Sequence, residues 1–460
     1  MVSEHMSVKS LISAVCPSSV ESLFKRIERS PIGNRLAKGV FWSMAGVAIS
    51  RGLMLAAAVL AARILGKTDY GKLGMIQSTF GMFGVFAGFG LGMTGTKYVA
   101  EFHRSDPGRA GRIIALSELV AIVSGGVMAL GLFIFAPWLA AHTMDAPQMA
   151  GALRIGSLTL FVSALTGAQT GALSGFEAFK TIAYVNLGVG ILSFPIFVCG
   201  TWFGGLTGAV WALALNMGVN WLLNHVALRK EARRYNTPFT LKKCALELPI
   251  LWKFSLPAVL SGAMVGPVNW ICSALLVNQP HGYGEMGIFS AANQWRALII
   301  FVPAAMSQVI LPMLSSFAGL NDQSSYFKLL RITILINIAV CLAVAIPIAL
   351  GARWIMSSYG PGFREGSWVL VCLALSSVLV ALNNVVGLAI VSRGQVWMGL
   401  LFNSLWAIAL IMFSYIWIRS GHGALGLALA NLIAYLLHSI WQSTYAFRLI
   451  RTENRRLAYR

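Results

Sequence analysis

The sequence predicts an all-α integral membrane protein, with about twelve transmembrane helices in two pseudo-symmetric six-helix lobes around a central cavity. Three observations predict it. Mean hydropathy is +0.74, with 57% apolar and only 11% charged residues, outside the range of soluble globular domains. Apolar stretches long enough to cross a bilayer recur with little between them. Short motifs from the first half of the chain return in the second at a nearly constant offset.

Taken in order, residues 1–37 are polar and basic and lack the continuous apolar core of a signal peptide. They read as a cytoplasmic tail, with an amphipathic surface helix expected around Val20 to Ile27. The first span, Gly39 to Leu65, carries Arg51 near its middle. A guanidinium there costs at least ~2.5 kcal/mol on insertion scales, so a polar partner must sit beside it. Further spans are expected at about 71–92, 111–136, 150–173, 181–203, 205–228, 250–277, 285–313, 329–350, 366–391, 396–418 and 423–447. Residues 38–228 would form the first lobe, 229–249 a basic cytoplasmic connector, 250–447 the second lobe and 448–460 a basic tail.

The net charge of +20 raises the question of nucleic acid, and its placement answers it. Of the 35 Lys and Arg, 26 fall on the side of both termini and 6 on the other, while Arg51, Arg154 and Arg296 lie inside spans. That bias puts both termini in the cytoplasm, and the basic loops then serve topology and anionic headgroups. Their low aromatic content argues against a nucleic-acid surface. The six cysteines are scattered without CxxC or His spacing, so neither metal, cofactor nor disulfide framework is expected.

The repeat rests on three ordered matches. Tyr70-Gly71-Lys72-Leu73-Gly74-Met75 pairs with Tyr283-Gly284-Glu285-Met286-Gly287-Ile288, Ala136-Pro137-Trp138-Leu139 with Ala352-Arg353-Trp354-Ile355, and Gly205-Leu206-Thr207-Gly208-Ala209 with Gly423-Ala424-Leu425-Gly426-Leu427. Six helices per half is an even number, so the halves share one orientation, related by an axis along the membrane normal. A cavity is expected at their seam, opened to each side in turn by rocking.

Several of these residues also resemble a known family. Ala61-Ala62-Arg63-Ile64-Leu65-Gly66-Lys67-Thr68-Asp69-Tyr70-Gly71 is similar to the signature joining helices 1 and 2 in polysaccharide flippases, for O-antigen or exopolysaccharide, of the multidrug/oligosaccharidyl-lipid/polysaccharide exporter superfamily. Gly90-Leu91-Gly92 to Tyr98-Val99-Ala100-Glu101, Leu173-Ser174-Gly175-Phe176 and Gly205-Leu206-Thr207-Gly208-Ala209 resemble further positions of that family. The resemblance implies a twelve-helix transporter of the bacterial inner membrane. Its substrate would be an undecaprenyl-diphosphate-linked oligosaccharide, turned from the cytoplasmic to the outer leaflet. Implied partners are membrane lipids and polysaccharide polymerase or assembly proteins.

Such a substrate needs its diphosphate neutralised in low dielectric, and arginine suits this because its planar fork pairs with phosphate oxygens and keeps its charge. Arg51 in the first lobe and Arg296 in the second are the candidates. In the lipid II flippase branch of the superfamily, arginines on helices 1 and 8 line the cavity, so the resemblance points to the same two residues. Asn293, one turn before Arg296, would share its face and contact sugars, whereas Gln294 is expected to point elsewhere. Arg154, near the outer end of the fourth span, reads as a snorkelling residue and a further substrate-binding candidate. Glu118, the acid well inside a span, reads either as an ion-coupling group or as an arginine partner. A multidrug or cation antiporter is the first rival reading, disfavoured because the mid-membrane charges are mainly cationic. A membrane polymerase or ligase is the second, disfavoured by short outer loops.

Overall fold

The computed structural model describes residues 31–458, apart from 242–243, 257–258, 260–262, 320–322 and 394; the surface helix expected at Val20 to Ile27 lies outside the described residues. The chain is helical from end to end, with no strand among the described residues. The first half contributes α1 (Pro31–Gly88), α2 (Leu91–Phe102), α3 (Pro107–His142), α4 (Ala150–Gly175) and α5 (Phe179–Arg234). The second half contributes α6 (Val265–Val277), α7 (Gly282–Gly319), α8 (Gln323–Leu350), α9 (Ala352–Ser358), α10 (Ser367–Ser392), α11 (Val396–Trp417) and α12 (Gly423–Ala458). Seven described stretches are long and apolar enough to cross a membrane.

Two of these elements are too long for one crossing. At ~1.5 Å per residue, a straight α1 would be nearly three hydrocarbon cores in length. It is divided at Gly66, with φ 70° and ψ 172°, and α5 at Gly205, with φ 54° and ψ −137°. A Cβ is strongly disfavoured at both conformations, so glycine sets where the chain turns. The expected spans 1 and 2, and 5 and 6, are the arms on either side. The second arm of α1 ends earlier than expected: Phe89 and Gly90 take positive φ, and α2 restarts at Leu91. The reason is the glycine run Gly88-Phe89-Gly90, which ends one helix and leaves the next free to change direction. At the start of α3, Asp106 accepts a hydrogen bond from the Arg109 backbone N–H at 2.9 Å, and Pro107 fills the first turn.

Packing is continuous within each half and concentrated on a few elements between them. In the first half α1 packs on α5, α3 on α4 and α4 on α5. In the second, α7 and α8 pack on α10, and α10 and α11 on α12. Between the halves, α1 crosses to α6 and α7. Small residues allow the tightest approaches: a Cβ on Gly190 would meet Ser50, and one on Gly171 would meet the Gly92 backbone.

The loops sort onto two ends. Arg104, between α2 and α3, pairs with Glu177, between α4 and α5, at 3.5 Å. Arg109 and Arg112 both reach Glu247 of the connector, at 3.2 and 3.4 Å. This is the basic end. At the opposite end Asn278 donates to the Thr143 carbonyl at 2.8 Å, the Tyr283 hydroxyl to the Met144 carbonyl at 2.6 Å, and Arg63 to the Ser358 carbonyl.

Glu247 is 5% exposed while its two arginines stay partly open to solvent. Removing the carboxylate leaves two half-buried cations facing each other. Glu247→Ala is therefore expected to destabilise the protein by about 1–3 kcal/mol, read as a lower Tm in detergent, with Glu247→Asp less affected.

Candidate functional site

A cavity of about 540 Å³ lies at the seam between the halves. The second arm of α1 forms one wall through Gln77, Ser78 and Gly81; α6 gives Asn269 and Ser273, α7 gives Ser290, Asn293 and Arg296, and α12 gives Asn431 and Tyr435. The size suits a bound organic group, and nine amide or hydroxyl side chains set among apolar ones suit a group that also hydrogen-bonds. Several hydroxyls are already engaged across the seam, Ser78 with Ser273 at 3.3 Å and Thr79 with the Trp270 indole at 3.1 Å. A second hollow of about 390 Å³ sits near the opposite end between His142, Trp270 and Arg419, but its cation is stacked on Tyr415 and no buried charge faces it among the described residues.

Arg296 supplies the charge of the seam cavity. Its Nη1 donates to Asn431 Oδ1 at 3.2 Å and its guanidinium lies 5.3 Å from the Tyr435 ring centre. Its Nε is buried and has no hydrogen-bond partner, and no carboxylate pairs with it among the described residues. A neutral amide and an aromatic face orient the cation without neutralising it, so the cavity keeps a positive centre with a donor to spare.

The other residues singled out from sequence are distributed as follows. Asn293 lines the cavity with Arg296, as helical spacing implies. Arg51 lies outside the lining but faces the second half, its guanidinium 5.7 Å from the Phe301 ring of α7, the helix that carries Arg296. Neighbouring Ser50 is buried against Gly190 of α5, while Arg51 itself is exposed. Arg154 is exposed and stacks over Phe133 at 5.2 Å, away from the cavity. Glu118 faces Gln169 of α4 and His225 and Arg229 of α5, within the first half.

One expectation is corrected. Gln294 does not point elsewhere: it lines the cavity. The cavity is bounded by α1 on one side and α12 on the other, so α7 exposes a broad face on which Met286, Phe289, Ser290, Asn293 and Gln294 follow i, i+3, i+4 spacing. Sequence reasoning also missed Asn431 and Tyr435.

With this geometry in hand, comparisons with known proteins place the chain. The family described as "Polysaccharide biosynthesis protein" matches residues 36–318, more than half of the chain. The chain belongs to that family. Two relatives match this family member over most of their length. The EPS I polysaccharide export inner membrane protein EpsE of Ralstonia solanacearum is 23% identical, over 86% of this chain and 89% of that protein. The lipid III flippase of Escherichia coli (strain K12) is 24% identical, over 88% and 96%. Among solved structures, the inward-facing form of a multidrug resistance MATE family transporter of the MOP superfamily superposes with a TM-score of 0.71 at 17% identity, covering 89% of this chain and 99% of that one. A MOP superfamily transporter from Pyrococcus furiosus gives 0.66 at 16%, covering 90% and 96%. These structural likenesses show that the family member shares the fold of those two proteins.

Proposed function

We propose that the chain is a flippase that moves a polyprenyl-diphosphate-linked oligosaccharide from the inner to the outer leaflet of a bacterial inner membrane, by alternating access, for surface polysaccharide assembly. The observation that carries this reading is Arg296, a guanidinium held in the seam cavity by a neutral amide and an aromatic ring, with a buried N–H left over. It is suited to a diphosphate, and the surrounding Asn293, Asn269, Gln77 and Gln294 to sugar hydroxyls. The names of the relatives, an exopolysaccharide export protein and a lipid III flippase, support the same class. A cation exporter would want carboxylates in the cavity, and its described lining has none. The reading is one of transport, not catalysis.

In this proposal the chain crosses the membrane twelve times as lobes 38–228 and 250–447, with the basic end and both termini in the cytoplasm and a polysaccharide polymerase or assembly protein receiving the product. Arg51 approaches the same path from the first lobe and supplies a second cation as the substrate enters. Glu118 serves as the partner of Arg229 and His225, tying α3 to α5.

The test is movement of a fluorescent polyprenyl-diphosphate-linked oligosaccharide across proteoliposome membranes. Wild-type protein is expected to move it. Arg51→Gln is expected to slow movement by about 5- to 30-fold, ~1–2 kcal/mol for a cation at the edge of the path, and Arg154→Gln to have the smallest effect of the arginine variants. No movement by folded wild type with several glycans would sink the flippase reading in favour of the antiporter.

A further inference from the structure

Asn431, Tyr435, His438 and Gln442 are spaced i, i+4, i+7 and i+11 on α12, so they form one stripe along a single face. The stripe starts in the cavity, where Asn431 and Tyr435 hold Arg296, and runs toward the C-terminal end of the helix. Beyond the cavity it is buried: His438 is 6% exposed and Gln442 4%. It is buried against α10, whose Asn383 donates to the Tyr435 carbonyl at 3.3 Å and whose Gly387 lies beside the Gln442 amide. Both ring nitrogens of His438 are without a hydrogen-bond partner, as are Asn383 Oδ1 and Gln442 Oε1. A packed apolar interior would not keep an imidazole, two amides and an indole-lined tyrosine in register for packing alone, since each unpaired buried polar atom costs about 1–3 kcal/mol.

We propose that His438 is a proton-binding site, reached along this polar stripe and coupled to anion binding at Arg296; the coupling rests on the anionic-substrate reading of the cavity. The ionisable groups on the elements packed against α12 are Tyr283, Glu285 and Arg296 on α7, Cys272 on α6, Cys372 on α10, Tyr415 on α11, and Arg419 and His422 in the turn between α11 and α12. On α12 itself they are Tyr435, Tyr445 and Arg448, with Arg451, Glu453, Arg455 and Arg456 at its far C-terminal end. Glu285 accepts a hydrogen bond from the Ala424 N–H at 2.8 Å, far along α12 from His438, and Tyr415 lines the separate hollow at that same end. No carboxylate therefore faces His438 among the described residues, and the charge closest along the stripe is Arg296, held through Tyr435. Two cations along one stripe of low dielectric oppose each other. A diphosphate that neutralises Arg296 relieves the opposition and draws a proton from solvent onto His438. By linkage, a proton already on His438 tightens diphosphate binding by the same factor. The proton enters with the anion and leaves with it, which ties transport to a proton gradient.

The experiment uses full-length protein in nanodiscs, with farnesyl diphosphate as the probe and a pH dye in weak buffer. Wild type is expected to take up a proton on binding, up to about one per diphosphate. His438→Gln and His438→Asn are expected to bind the probe and take up none, and Arg296→Gln to lose both. Uptake in the His438 variants equal to wild type overturns the proposal. Failure of wild type to bind the probe removes the diphosphate reading instead, and the site is then judged by histidine NMR. Among seven histidines, the His438 signal is the one lost in His438→Gln. Its protonation, followed as a chemical-shift change over the pH range in which the protein stays folded, is expected to differ in Arg296→Gln, where the opposing cation is gone. A His438 signal that shows no protonation, or shows it unchanged without Arg296, overturns the site.

Discussion

Arg296→Gln is expected to reduce diphosphate binding on the order of 100-fold and to stop net flipping, while leaving the protein folded. A charge-assisted hydrogen bond is worth about 1.5–3 kcal/mol, and the guanidinium offers the substrate more than one N–H at a site shielded from water. Glutamine keeps an N–H donor but ends two bonds short of the Nη1 that meets Asn431 and removes the charge, so the loss reports charge and reach together. Arg296→Lys restores the charge without the planar fork and is expected to recover only part of the affinity. Equilibrium binding of a short polyprenyl diphosphate, followed by the flipping assay at matched protein levels, separates the two effects. A Gln variant that binds and flips as wild type does would remove Arg296 from the substrate path. The effect is expected to exceed that of Arg51→Gln because Arg296 lines the cavity and Arg51 lies beside it over Phe301.

The difference between those two arginines marks where the sequence stopped being informative. That both sit mid-span was legible from hydropathy. Which way each points depends on helix phase against neighbours from the other half of the chain, and no local pattern encodes that. Asn293 lines the cavity with Arg296 because the two share a face at i, i+3, a relation internal to one helix. Gln294 was misplaced because the single-face argument assumes a narrow contact, whereas α7 is exposed between α1 and α12. The α12 stripe is the converse case. Asn431, Tyr435, His438 and Gln442 have helical spacing that can be read from the sequence. Its meaning, burial of that face against Asn383 and Gly387, required the tertiary contact. Gly66 and Gly205 lie within the family-like motifs, and their positive φ values give those motifs a physical reason.

The repeat had a consequence that its alignment did not announce: its two copies touch. Gly71, from the first copy, faces the Tyr283 carbonyl and the Gly287 N–H of the second so closely that a Cβ would overlap backbone atoms; Gly287 in turn faces the Lys67 carbonyl, and Gly74 faces Ser290. Around them Tyr70 stacks edge-on to Tyr359 and Phe363 at 6.4 and 6.0 Å. This is the seal of the seam at the end opposite the basic loops, and it closes backbone against backbone, so no rotamer change makes room for a side chain. Gly71→Val is accordingly expected to disfavour closure there by about 2 kcal/mol or more, a shift of roughly 30-fold toward the form open at that end. Spin labels at Thr68 and Glu365, both exposed near the seal, would report the shift as a longer distance. Flipping should slow by about tenfold or more, since alternating access requires each end to close in turn. Gly131→Ala, where a Cβ meets nothing within 4 Å, is the control and should change neither reading. A Gly71→Val protein with wild-type distances and rates would mean that this contact is not the seal, and that the two halves part elsewhere along α1 and α7.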